Sequence, residues 1–260
     1  MLGFDDSGGD GAAIVLLHGL TATRRYVVMG SRSLERAGHR VIAYDARGHG
    51  ESDPAPSPEA YRYEDLADDL GSLLDDLGVE RAVLAGASMG AHTLLRFALD
   101  HPSRVAGLVA ITPAWTPDRD PGLERWDALS DGLRSGGVEG FLAAYGEPPV
   151  PPQWRETVET ILRQRLGRHR HPEAVADALR AVPRSRPFTA LSDLGSLPPV
   201  PAVVIGDRDD ADPEHPLAVA EAYAAAIPGA TLAVEEPGKS PLAWQGSQVS
   251  RIVAEVTAQA

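Results

Sequence analysis

Six short, unbroken apolar runs recur along this chain, at residues 12–17, 41–44, 82–85, 105–111, 202–205 and 230–234. A strand with one face in water alternates apolar and polar side chains. These runs do not alternate, so the strands they form should be covered on both faces, as in a parallel sheet packed between helices. Amphipathic stretches lie between them. Leu66, Leu70, Leu73, Leu74 and Leu77 fall on one helical stripe, Val249, Ile252, Val253 and Val256 on another, and Val219, Tyr223 and Ile227 on a shorter one. This alternation predicts βαβ units and an α/β fold with a mostly parallel, doubly wound sheet. The rhythm breaks once. From residue 113 to about 196 no strand run occurs, and helical stretches are expected near 124–133, 154–166 and 172–182. The expected organisation is therefore a core of residues 1–112 and 197–260 carrying a helical insertion, 113–196, over the C-terminal edge of the sheet, where α/β folds place ligands.

Charge and composition narrow the partners. The net charge is −13, from 24 basic and 37 acidic residues, which disfavours nucleic acid and anionic membrane as partners. No apolar stretch approaches the length of a membrane helix. The first eleven residues lack the basic start and apolar run of a secretory leader, and a cytoplasmic protein is expected. The absence of cysteine removes disulfides, thiol nucleophiles and thiolate metal sites. The histidines are scattered without ligand spacing, so neither a metal nor a cofactor is implied. Lys239 is the only lysine beside 23 arginines, which makes its position informative.

Three motifs carry chemistry. Gly86-Ala87-Ser88-Met89-Gly90 follows the apolar run 82–85 and opens an apolar helical stretch, 91–99. A serine between such glycines can sit on a sharp strand-to-helix turn, its hydroxyl projecting beside a helix N-terminus that favours developing negative charge. His18-Gly19-Leu20 follows the first strand, and Asp45-Ala46-Arg47-Gly48-His49-Gly50-Glu51-Ser52 follows the second. Together, in this order and spacing, the motifs resemble the α/β-hydrolase superfamily in its esterase-like, cap-bearing branch, over nearly the whole chain. The resemblance implies that Ser88 is the nucleophile and that the backbone N–H groups of Leu20 and Met89 form the oxyanion hole. His18 and His49 are expected to order loops. The triad acid should follow the strand at 202–205, where the family spacing Gly-x-x-Asp selects Asp209, with Asp210 the fallback and Asp207 and Asp212 read as solvated loop residues.

The family pattern departs at the base. A histidine is expected in a Gly-His-Ser-Pro-like turn after the last strand, but the chain reads Pro237-Gly238-Lys239-Ser240-Pro241. An ammonium accepts no proton, and a carboxylate beside it raises its pKa further, so Lys239 next to Asp209 should form an ion pair and not a general base. Several readings stay open. Another group, His215 or His92, supplies the base, although each reads as an ordinary surface or helix-packing histidine. Ser88 and Lys239 form a dyad. The protein is a lyase, or a small-molecule binder with impaired turnover. Lys239 replaces an original histidine by engineering. The leading expectation is a serine hydrolase acting on a small ester or lactone, with Ser88, Asp209 and Lys239 as an atypical triad. Trp115, Trp126, Phe141, Tyr145, Trp154 and Phe188 offer aromatic lining or packing from the insertion. The run Arg163, Arg165, Arg168 and Arg170 reads as a solvated helix end capped at Gly167.

Overall fold

In a computed structural model, the described residues are 1–208, 212, 214–236 and 244–260. Seven strands form one sheet: β1 (Phe4–Asp6), β2 (Ala13–Leu17), β3 (Arg40–Tyr44), β4 (Ala82–Ala87), β5 (Val105–Ile111), β6 (Ala202–Gly206) and β7 (Thr231–Val234). Their spatial order is β1-β3-β2-β4-β5-β6-β7. All neighbours pair in parallel except β1, which runs antiparallel to β3 with Phe4 opposite Tyr44. The six expected strands are present. β1 is the addition: Phe-Asp-Asp has no apolar run, and ion pairs from Arg24 to Asp5 and from Arg40 to Asp6 fasten it to the sheet edge.

Eight α-helices complete the described chain: α1 (Ser33–Arg36), α2 (Tyr63–Asp76), α3 (Met89–Asp100), α4 (Leu123–Tyr145), α5 (Arg155–Leu166), α6 (Pro172–Ala181), α7 (Leu217–Ala226) and α8 (Gly246–Thr257). Successive strand residues point to opposite faces and fill two cores. Val15, Leu17, Leu84 and Val204 pack against α2, α3 and α7, while Ile14, Leu16, Val83 and Ile205 pack against α1 and α8. Leu70 and Leu74 on the α2 stripe are fully buried. Each such leucine stabilises the fold by about 1.5–3 kcal/mol relative to exposure. Gly78, at φ +63°, then ends α2, and the Val79 N–H returns to the Leu74 carbonyl at 2.8 Å.

Residues 113–196 contain helices α4, α5 and α6, several 3-10 turns and no strand. α4 is longer than the periodicity predicts because it is two helices merged across Gly137, whose φ of 60° and ψ of −146° break the spiral. The two arms lie so close that a methyl group on Gly132 would overlap the Gly140 carbonyl. Leu129, Leu133, Phe141, Leu162, Leu166 and Leu179 bury one another in a core of the helical segment's own. No described helix is long and apolar enough to cross a membrane.

Candidate active site

Ser88 sits between β4 and α3 with φ 50° and ψ −111°, a conformation that non-glycine residues rarely adopt. Such a backbone costs of order 1–3 kcal/mol and persists only where its surroundings over-determine it. The surroundings are visible. The Ser88 N–H donates to the Ile111 carbonyl at 2.9 Å, and its carbonyl accepts from the His92 N–H at 3.1 Å. A side chain on Gly86 would strike the Gly90 backbone, and one on Gly90 would strike the carbonyls of Leu17 and His18. The two glycines thus let the turn close against the end of β2.

The Ser88 hydroxyl meets a histidine. His215 Nε2 lies 2.9 Å from Ser88 Oγ, and His215 Nδ1 lies 2.7 Å from Asp212 Oδ2. The ionised carboxylate can only accept, so the ring proton resides on Nδ1 and donates to Asp212. Nε2 is then left as a lone pair that accepts the serine hydroxyl. The turn is tied further by Glu214 N–H to Asp212 Oδ1 and His215 N–H to the Asp212 carbonyl, both at 3.2 Å. Burial pushes the His215 pKa down, but the Asp212 charge and hydrogen bond outweigh it, and the net shift is upward. Burial likewise pushes Asp212 up, and the charge and hydrogen bond of His215 bring it below its ordinary value. Both directions describe one thing: a pair that stabilises an imidazolium beside a carboxylate.

This arrangement corrects two sequence expectations. His215 is not an ordinary surface histidine, and Asp212 is not a free loop acid, because each is spent on the other at three residues' separation. Asp207 is not solvated either: it is 8 % exposed at the end of β6, and burial, then Asp212 and Glu235, raise its pKa to about 7. Asp209, Asp210 and Lys239 lie outside the described residues. Ser88, Leu20 and Met89 line one cavity with His215. The available clue to this contact was the Asp-x-x-His spacing of Asp212 and His215 just ahead of Pro216.

His92 points away from the proton chain. Its Nε2 accepts the N–H groups of Ala114 and Trp115 at 3.2 and 3.3 Å, so the proton is on Nδ1, which donates to the Tyr63 hydroxyl at 3.0 Å. Burial lowers its pKa to about 3, with the nearby His215 adding to the effect. It holds the first residues of the helical segment to α3. His18 and His49 order loops in the same manner. His18 Nε2 accepts the Ala46 N–H at 2.9 Å while Nδ1–H donates to the Gly19 carbonyl, and His49 Nδ1–H donates to the Arg47 carbonyl. His169, in the loop between α5 and α6, joins them: it accepts the Gly50 N–H at 2.9 Å and donates to the Thr21 carbonyl at 3.0 Å. The three rings stand 5.1 and 5.5 Å apart in a chain, and burial lowers the pKa of each. Neutral rings in defined tautomers can pack this way, whereas charged ones would repel.

The cavity holds about 390 Å³. Its floor is Ser88, Met89 and His92, and its walls include Leu20, Trp115, Trp126 and Val182 from both sides of the sheet-to-helix boundary. Phe141 and Phe188 are buried in packing instead. The basic run begins inside the last turn of α5: Arg163 pairs with Glu139 at 2.9 Å, the Gly167 N–H closes onto the Arg163 carbonyl at 3.0 Å, and Arg165, half-buried and not solvated as expected, lies over the Tyr26 ring at 5.8 Å. Among the described residues no group of three His, Cys, Asp or Glu side chains could hold a metal ion.

Residues 12–238 match the alpha/beta hydrolase fold family. A protein of Variovorax paradoxus (strain S110) with the provisional name carbamate hydrolase RutD is 31 % identical over 203 residues, covering 78 % of this chain and 75 % of that one. The 2-hydroxy-6-oxononadienedioate/2-hydroxy-6-oxononatrienedioate hydrolase of Burkholderia vietnamiensis (strain G4 / LMG 22486) is 31 % identical over 218 residues, covering 80 % and 74 %. A thermophilic esterase from Thermogutta terrifontis, solved with malate bound, superposes with a TM-score of 0.78 at 28 % identity, over 98 % of this chain and 92 % of that chain.

Proposed function

This chain belongs to the alpha/beta hydrolase fold family, and from that premise we propose that it hydrolyses a small ester or lactone through Ser88, with His215 as general base and Asp212 as its acid partner. This assignment takes the place of Asp209 and Lys239 in the sequence expectation. The observation that carries it is the unbroken line of hydrogen bonds Asp212–His215–Ser88 at 2.7 and 2.9 Å. The names of the relatives and the esterase neighbour support hydrolysis, and the ester or lactone class is our own narrowing of it. The reading also divides the chain into a hydrolase core, 1–112 and 197–260, and a cap, 113–196.

The chemistry follows from the geometry. Ser88 Oγ attacks the substrate carbonyl carbon while its proton passes to His215 Nε2. The oxygen that gains charge faces the N–H groups of Leu20 and Met89. The tetrahedral intermediate then collapses, the bond to the leaving oxygen breaks, and the imidazolium returns its proton to that oxygen. A water molecule, deprotonated by the same Nε2, attacks the acyl-serine and restores the enzyme. Asp212 holds the ring in the required tautomer and stabilises the imidazolium. A histidine within hydrogen-bond reach of Ser88 supports turnover over a binder without it.

The experiment compares His215→Ala with Lys239→Ala on short-chain p-nitrophenyl esters, alongside fluorophosphonate labelling of the wild type. Labelling at Ser88 is expected. His215→Ala should lower kcat by about a thousandfold, and Lys239→Ala should stay within about tenfold of the wild type. A wild type that never labels at Ser88, or a dead Lys239→Ala beside an active His215→Ala, overturns the proposal.

A further inference from the structure

We infer that Arg125, on the helical segment, is a positioning residue for His215, acting through Glu214. The inference rests on the role proposed for His215.

Glu214 is the residue next to the base, and three of its groups are occupied. Its N–H is held by the Asp212 carboxylate at 3.2 Å. Its carboxylate is paired with the guanidinium of Arg125, which projects from the first turn of α4. Its carbonyl accepts Arg119 Nη2 at 3.4 Å, and Arg119 Nη1 is anchored on the Ala114 carbonyl at 2.6 Å. The far end of α4 contributes too. The break at Gly137 turns the helix back on itself, and the Tyr145 ring lies 5.1 Å under the Arg125 guanidinium. Arg125 is thus held between Tyr145 and Glu214, and Glu214 is held between Arg125 and Asp212.

The consequence is mechanical. The Asp212–His215 bond is internal to the turn and fixes the ring relative to the acid. It does not fix the turn relative to Ser88, which stands on a different strand end. Among the described residues, ties from this turn to the helical segment run through Glu214, to Arg125, Tyr145 and Arg119. Arg119, Arg125, Glu214, His215 and Ser88 line the same cavity, so the clamp borders the space where the proposed reaction would take place. Releasing Arg125 lets the turn shift, and the 2.9 Å contact from Nε2 to Oγ is the distance that changes. A misplacement of about 1 Å between reacting groups can cost about a hundredfold in rate. Arg125 and Glu214 are 47 % and 33 % exposed, so the pair is accessible to salt.

The charged and titratable groups around His215 include Asp212 and Glu214 on its own turn, Asp207 at the end of β6, His92 on α3, and Arg119, Asp120 and Arg125 of the helical segment on the same cavity. Glu214 contributes to holding the His215 pKa up. Unpairing it by Arg125→Ala therefore moves the acid limb of kcat/KM to higher pH, and neutralising it by Glu214→Gln moves that limb to lower pH. A role in folding alone predicts neither shift.

The test is steady-state kinetics on p-nitrophenyl esters from pH 5 to 9 for Arg125→Ala, Arg125→Lys and Glu214→Gln, each checked by circular dichroism. Arg125→Ala should lower kcat about tenfold with KM changed less than about threefold, and Arg125→Lys should restore at least about a third of kcat. The two limbs should move in opposite directions. If Arg125→Ala does not fold, the lysine and glutamine variants carry the comparison. A kcat of Arg125→Ala within twofold of the wild type, or limbs that move together, overturns the inference. An inactive His215→Ala beside a normal Arg125→Ala overturns this inference alone; an active His215→Ala overturns the function it rests on.

Discussion

Acidification should detach the helical segment from α3 through one residue, His92. Its Nε2 accepts two backbone N–H groups, from Ala114 and Trp115, and a protonated ring cannot accept either. Burial holds its folded pKa at about 3 against an ordinary 6.5. The folded value is the lowered one, so the unfolded chain binds the proton first. The stability His92 contributes is complete above about pH 6.5 and is lost as pH falls from there toward 3. At pH 5 an unfolded imidazole is protonated about thirtyfold over neutral while the folded one is not, a penalty of about 2 kcal/mol. Other groups titrate in the same range. His18 acts with the same sign, and Asp207, raised to about 7, acts with the opposite sign because its folded form takes up the proton. The total pH dependence therefore mixes terms, and the difference between wild type and His92→Gln isolates one. Urea unfolding at pH 7 and pH 5 measures it. The wild type should lose about 2 kcal/mol more than His92→Gln across that interval. Equal losses in the two proteins would refute the assignment of His92 as a buried neutral acceptor.

Two further outcomes follow from the site. Asp212→Asn should lower kcat by about 10³ to 10⁴ because the amide no longer enforces the Nδ1–H tautomer. Its acid limb should also move to lower pH, since the Asp212 charge is what raises the His215 pKa; an unmoved limb in a pH–rate profile would contradict the pairing. Gly90→Ala should destabilise the fold by about 3 kcal/mol, the scale of a forced core overlap, because its methyl would enter the Leu17 and His18 carbonyls. A urea midpoint change corresponding to less than about 1 kcal/mol would show that the turn has room.

The six expected strands were legible because each is covered on both faces, and that requirement writes itself into consecutive apolar residues. β1 was not legible: its three residues are held by backbone pairing and by arginines from elsewhere, and neither leaves a local pattern. Ser88 was legible because the glycines two positions to either side answer to backbone overlaps that nothing but glycine avoids. Its base was not. The family spacing directs attention to the sequence after β7, where Lys239 occurs, whereas the histidine that meets Ser88 follows β6. A ring and a carboxylate three residues apart in a proline-containing stretch have no periodicity to betray them. Their meeting with Ser88 spans 127 positions and exists only once β4 and β6 flank β5.

That local spacing has a consequence for how the machinery tolerates change. Where an acid and a base arrive on separate loops, three parts must be brought into register, and drift in either loop spoils two contacts. Here Asp212 and His215, the proposed acid and base, travel as a cassette. The cassette's internal bond spans only three positions, and a displacement of the cassette moves its contact with Ser88 together with the ties from Glu214 to Arg125 and Arg119. The proposed acid and base keep their mutual register through sequence neighbourhood, and contacts to Ser88 and to α4 set where the pair stands as one body.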